Sequence, residues 1–190
     1  IAAALDERAV PHQLGASDQL FSRAEVKDVL AWLRLLTSPA DASATVRALA
    51  RAPIELRAVD LARCVQIARR RKLDMVSALN AATESPQIPP EARERIVAFL
   101  KLQRQAAAAL DELRPDRFVH RLIDRLGLRR QQLFAAQADV VEGLRCLARF
   151  EALAGRFAER SPQSSGREFA EYVVAVADAG LRESDESGGA

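Results

Sequence analysis

Arg69-Arg70-Arg71-Lys72 is the densest run of like charge in the chain, and Arg51 and Arg57 lie a short way upstream. Arginine suits phosphate because its planar guanidinium offers paired N–H donors to two oxygens at once. The run also falls where a helix is expected to end, and cations there complement the helix dipole. Two readings therefore stand for it: a helix-terminal structural role, and contact with phosphate. Arg129-Arg130 lie near an expected helix start, where the dipole gives them nothing, so a solvated pair and a contact surface both remain open.

Catalytic chemistry is hard to place on this sequence. The only histidines are His12 and His120. Neither has a Cys or His partner at metal-ligand spacing, and both are expected to be structural or solvated. There is no glycine between Gly15 and Gly127, so no glycine-rich backbone cradle for phosphate can form across that stretch. No Gly-x-Ser-x-Gly elbow is present. The acids Asp6 and Glu7, and Glu183, Asp185 and Glu186, read as solvated rather than paired for proton transfer. Cys64 and Cys146 read as reduced core thiols. The expectation is a non-enzymatic chain with no catalytic residue, no metal and no cofactor of its own.

The elements that would carry these residues are helical. Arginine outnumbers lysine 25 to 3, alanine and leucine abound, and only 5% of residues are aromatic. That composition favours helix and argues against a sheet-based fold. A Ser22/Glu25 capping box with a Phe21–Val26 staple is expected to open a helix. Its stripe is Val26, Val29, Leu30, Leu33 and Leu36, and it should end before Pro39. Trp32 borders the stripe as a core residue. Further helices are expected from Asp41 as N-cap to Arg51, over 58–72, and over 73–82. Beyond them, helices are expected from Pro90 to Leu113, over 116–126 with Gly127 as C-cap, over 128–160 as one long helix or two abutting ones, and over 167–181 behind a Ser165/Glu168 capping box. The inward face of the helix from Pro90 is Ile96, Phe99, Leu100, Ala107 and Leu110. The stretch from Val140 to Phe157 reads as apolar almost all round, hence central, with Leu144 in the core. Ile1–Ala9 reads as a helix end, and the fold class is an all-α, irregular multi-helix bundle with at most one tiny β-ribbon near Val10–Leu20. No apolar run is long enough to span a membrane. No charged-then-apolar leader is visible, which predicts a cytoplasmic location. Ile1 falls in mid-helix by pattern and Met75 is the only methionine, which predicts a piece of a longer polypeptide.

The first 80 residues carry a more specific signal. Ala4-Leu5-Asp6-Glu7-Arg8-Ala9-Val10-Pro11-His12-Gln13-Leu14-Gly15 is followed by Phe21-Ser22-Arg23-Ala24-Glu25-Val26-Lys27-Asp28-Val29-Leu30-Ala31-Trp32-Leu33-Arg34-Leu35-Leu36, then Ser38-Pro39-Ala40-Asp41, Arg47 and Pro53. This order resembles the UvrD/PcrA/Rep family of superfamily 1 DNA helicases, where the second RecA-like domain leads into its helical insertion, the 2B subdomain. The resemblance implies that residues 1–20 belong to the RecA-like domain and hinge and 21–181 to the 2B subdomain; the Ser-, Gly- and acid-rich tail 182–190 is expected from its composition to be disordered or a flexible linker. It also implies a parent ATP-dependent helicase whose ATP and Mg²⁺ sites lie outside this chain. The family has a Gly-Ile-Gly element after the proline equivalent to Pro53, which lets backbone amides approach duplex phosphates. Here the sequence is Pro53-Ile54-Glu55-Leu56, and Glu55 and Asp60 add negative charge.

What the resemblance implies for function is an accessory subdomain that contacts duplex DNA and regulates unwinding by rigid-body swivelling. Its partners would be duplex DNA, bound weakly and without sequence preference, and the motor domains of the same polypeptide. With the glycines missing, the contact is expected to use Arg51, Arg57, Arg69, Arg70, Arg71 and Lys72. The alternative is a helical protein–protein module in which DNA contact has been lost and a protein partner takes its place.

Overall fold

The computed structural model describes residues 20–131 and 137–187, and the elements there are helices with no strand among them. In chain order they are α1 (Ala24–Thr37), α2 (Ala42–Ala50), α3 (Ala58–Arg71), α4 (Met75–Thr83), α5 (Pro90–Glu112), α6 (Pro115–Leu126), α7 (Leu128–Gln131), α8 (Gln137–Arg160) and α9 (Gly166–Ser187). The all-α expectation holds. The helix end at Ile1–Ala9, the ribbon near Val10–Leu20, His12 and Gly15 fall outside the described residues, apart from Leu20.

Local chemistry accounts for most boundaries. The Asp41 carboxylate accepts from Ala44 N–H at 2.9 Å, and Asp74 does the same for Ser77 N–H at 2.9 Å, each satisfying an orphan amide of a first turn. Pro90 and Pro115 occupy first-turn positions where a missing N–H costs nothing. Gly127 closes α6 at φ 65°, the left-handed conformation glycine tolerates best. At α9, Glu168 Oε2 accepts from Ser165 N–H at 2.8 Å, the return limb of a capping box.

The centre of the fold is α1. Val26, Val29, Leu33 and Leu35 have no exposed surface, and Trp32 stacks at 5.3 Å between ring centroids, tilted, on Phe99 of α5. Helices α2, α5, α8 and α9 all pack on α1, so its apolar residues are buried nearly all round. A second aromatic group, Phe150 and Phe157 of α8 with Phe169 and Tyr172 of α9, joins the last two long helices. The N-terminus of α9 is sealed to the α5–α6 corner by Gly166 N–H donating to Leu113 O at 2.9 Å.

Several expectations are corrected. The N-cap of α1 is Arg23, in extended conformation without a side-chain cap, because residues 20–22 are themselves helical and carry Ser22 out of the cap position. The described part of 128–160 holds two helices, α7 and α8, one of the two arrangements expected, but α8 is not central: Val141 is 44% and Leu144 39% exposed. Its buried line is Cys146, Leu147, Phe150, Ala154 and Ala158. Alanines at 148 and 152 made the opposite face look apolar, although alanine sits in water at little cost. On α5 the fully buried alanines are Ala92, Ala106 and Ala109, and Ala107 is partly buried against the core. Helix α9 runs to Ser187 instead of stopping at Leu181, since no proline or glycine interrupts Arg182–Ser187.

Candidate nucleic-acid interface

The cationic run closes α3. Arg69, Arg70 and Arg71 form its last turn, and Lys72 is the C-cap at φ 53°, ψ 42°. Its N–H donates to the carbonyls of Ala68 and Arg69, and Leu73 N–H reaches back to Ala68 O at 3.0 Å. A lysine therefore fills the left-handed position that glycine usually takes. All four side chains are exposed, and none forms an ion pair among the described residues. Both readings of the run survive this geometry: the charges sit on the negative end of the helix dipole and their N–H donors face water.

Arg51 and Arg57 are placed differently, because each answers a buried acid. Arg51 Nε donates to Asp28 Oδ2 at 3.2 Å while Arg47 Nη2 lies 2.6 Å from Asp28 Oδ1. Arg57 Nε donates to Asp60 Oδ2 at 3.0 Å and Arg63 Nη1 to Asp60 Oδ1 at 2.7 Å. Asp28 and Asp60 are both buried, and a buried carboxylate is tolerable only when paired and hydrogen-bonded. The negative charge read at Asp60 from the sequence thus does not face outward; it is enclosed by two guanidiniums. Each triad keeps a net charge of +1, and Arg51 and Arg57 remain more than half exposed with N–H groups left over.

The loop between the triads takes up the missing glycines. Glu55 adopts φ 52°, a conformation natural to glycine and strained for glutamate. Ile54 N–H and Glu55 N–H donate to Arg51 O at 3.1 and 3.0 Å, and Leu56 N–H donates to Leu49 O at 2.9 Å. Arg95 of α5 holds the other side, its Nη1 donating to Ile54 O at 3.0 Å and Glu55 O at 2.7 Å. The amides of residues 54–56 are spent inside the fold, and the donors that face water beside them are side chains.

Arg63 and Arg47 escaped the sequence reading. The signal for Arg63 was available: arginines three residues either side of Asp60 lie within reach of one carboxylate on a helix. Arg63 also lies two turns before Arg70 on the same side of α3, which extends the cationic face along the helix. Arg47 had no such signal, since it meets Asp28 only through the packing of α2 on α1.

Among the other residues weighed for chemistry, His120, Cys64 and Cys146 are described, while His12, Asp6 and Glu7 lie outside the described residues. His120 is exposed, with Nδ1 3.0 Å from Glu151 Oε1 and Nε2 3.3 Å from Asp124 Oδ2, in a surface network that Arg129 completes. Cys64 is buried as a free thiol, and burial, with the charge of Asp60 nearby, pushes it up to about 11. Burial and Glu142 raise Cys146 as well. No cluster of three His, Cys, Asp or Glu residues suited to a metal occurs among the described residues.

Residues 1–89 match the UvrD-like helicase C-terminal domain. The matched span ends just before α5 and contains every residue of the basic face on α3, so this part of the chain is similar to a UvrD-type helicase. No curated protein matches the chain.

Proposed function

We propose that this chain is the 2B accessory subdomain of a UvrD-like ATP-dependent DNA helicase, and that it holds duplex DNA through the exposed face of α3. The supporting observation is the conjunction of the helicase match over residues 1–89 with four exposed, unpaired cations at the end of α3. Arg69, Arg70, Arg71 and Lys72 would meet phosphates directly. Arg51 and Arg57, braced by Asp28 and Asp60, would add guanidinium edges at the other end of the helix. Such contacts carry no base information, so binding is sequence-independent, in the range of about 10⁻⁴–10⁻⁶ M.

In this reading ATP and Mg²⁺ belong to the motor domains of the same polypeptide, and the subdomain regulates unwinding by swivelling as a rigid body on its connections. The location is cytoplasmic; no described helix is long and apolar enough to cross a membrane. Titration of a labelled duplex hairpin at several salt concentrations tests the reading. Changing Arg69, Arg70 and Arg71 together to Gln should flatten the log–log salt slope by up to about 2–3, since each neutralised phosphate contributes about −0.9. An unchanged slope rules out the α3 contact. A second reading, a protein-binding module, draws on exposed Val141 and Leu144 on α8, and it gains if duplex DNA does not bind at low salt.

A further inference from the structure

Helix α6 carries a second line of positive charge that neither the sequence reading nor the α3 face includes. Its buried side is Phe118, Val119, Leu122, Ile123 and Leu126. Along one edge of the opposite side run Arg117 and Arg121, both exposed, and Arg125, half-buried, at i, i+4 and i+8. At 1.5 Å per residue these stand about 6 Å apart along one edge of the helix. Like charges at this spacing repel, so the arrangement works against the helix that bears it. Arg121 and Arg125, one turn apart, face each other closely enough that burial first and then the charge of Arg121 lower the Arg125 guanidinium below its ordinary value.

The neighbouring cations are treated differently. Arg114 pairs with Asp116 at 3.3 Å, and Arg129 is shared by Asp124 and Glu151. Asp124, on the same helix, is turned toward His120 and Arg129. Among the described residues no carboxylate pairs with Arg117, Arg121 or Arg125, and Arg117 and Arg121 are exposed. Arg121 and Arg125 border a small cleft that Ala106 and Ala109 of α5 also line, so only small side chains face them from that helix.

We infer that Arg117, Arg121 and Arg125 form a second phosphate-binding track, which takes the backbone of duplex DNA. The choice of ligand class rests on the nucleic-acid reading above. Phosphates of one strand rise roughly 3.4 Å along the duplex axis and are also carried sideways by the turn of the strand, so neighbouring phosphates stand about 6–7 Å apart, the order of the spacing between the arginines. Arginine rather than lysine favours forked contact with phosphate oxygens. Single-strand binders add exposed aromatic platforms, and the one aromatic ring at the cleft, Phe118, is buried beneath it. Helix α6 packs on α8 and α9, whereas α3 packs on α4 and α2; the track is therefore built on separate elements and can be altered alone.

The test uses the whole chain, a labelled duplex hairpin, a single strand of the same length and a polyglutamate peptide. Four proteins are compared: the unaltered chain, R117Q/R121Q/R125Q, R69Q/R70Q/R71Q and a surface control. Helical circular dichroism and melting confirm that each is folded, and Arg145→Gln on α8 serves as a surface control expected to bind as the unaltered chain does. The expected result is that the α6 variant loses about tenfold or more in duplex affinity at low salt and flattens the salt slope by about 2–3. If the α6 variant binds as the unaltered chain does while the α3 variant is weakened, the track is refuted and the α3 reading stands. If the α6 variant loses binding and the α3 variant does not, the track is supported and the α3 contact is refuted. Loss confined to the single strand refutes the track, and binding of polyglutamate without duplex refutes both.

Discussion

Gly166 lies so close to Phe118 that a Cβ placed on it would stand 2.8 Å from the ring Cγ and 3.0 Å from the Leu110 carbonyl oxygen. The contact locks the start of α9 into the α5–α6 corner. Gly166→Ala is expected to cost about 1–3 kcal/mol by overpacking, lowering Tm by roughly 2–4 °C for each kcal/mol in a chain of this size. Gly155, where an added Cβ meets nothing within 4 Å, is the counterpart. In a helix interior, Gly155→Ala should stabilise by about 0.5–1 kcal/mol. Thermal melts of the two variants should move in opposite directions.

The Asp60 triad should respond asymmetrically. Removing the acid leaves two arginines that can turn to water, so Asp60→Asn should cost about 1–2 kcal/mol of hydrogen bonding. Removing both arginines in R57A/R63A strands a carboxylate with no exposure, and the loss should rise to about 3–5 kcal/mol. Urea unfolding of the two variants checks the order; a larger loss for Asp60→Asn would mean that the arginines do not compensate the buried charge.

Leu33 and Leu144 separate the true core from an apparent one. Leu33→Ala removes a side chain with no exposed surface and should cost about 2–5 kcal/mol. Leu144→Ala, on a side chain 39% exposed, should stay below about 1 kcal/mol. Equal losses in denaturant titrations would contradict the orientation of α8.

Cys64 makes stability depend on alkaline pH. Its thiol is raised from 9.0 to about 11 in the folded chain, so between these values the folded state holds a proton that the unfolded state has released. The Cys64 contribution is complete below about pH 9 and is lost as pH rises toward 11, by about 2–3 kcal/mol in total. The difference in unfolding free energy between the unaltered chain and Cys64→Ala, followed from pH 8 to 11, should shrink by that amount. A flat difference would show that the thiol is not held protonated.

Glu55 stores strain at φ 52°. Glu55→Gly removes about 1–2 kcal/mol of that strain against a smaller cost in chain entropy, roughly 0.5–1 kcal/mol. The net expectation is a gain of up to about 1 kcal/mol. Glu55→Val, β-branched at the same φ, should be clearly destabilising in the same melting assay.

Signals confined to a few neighbouring residues were readable in the sequence. Asp41, Pro90, Pro115, Gly127 and the Ser165/Glu168 pair act on amides within their own turn, and each marks an observed helix end. The α1 stripe and Trp32 were readable because an apolar period longer than one face requires burial. Helix α8 misled because alanine contributes to an apolar count without demanding cover. The pairing of Arg51 with Asp28 joins residues 23 positions apart and depends on how α2 meets α1, which no local pattern encodes. Arg57 with Asp60 lies within local reach, yet which of its charges faces water depends on the side of α3 that packs against α4.

The Trp32–Phe99 pair straddles the end of the helicase match at residue 89. The matched span therefore does not enclose its own core. A polypeptide cut after residue 89 would leave α1, with Trp32, Val29 and Leu33, without the surfaces of α5, α8 and α9, as a sticky intermediate prone to self-association and proteolysis. The residues that match and the residues that cover their tryptophan are different parts of one molecule, so any shortened version of it has to keep both.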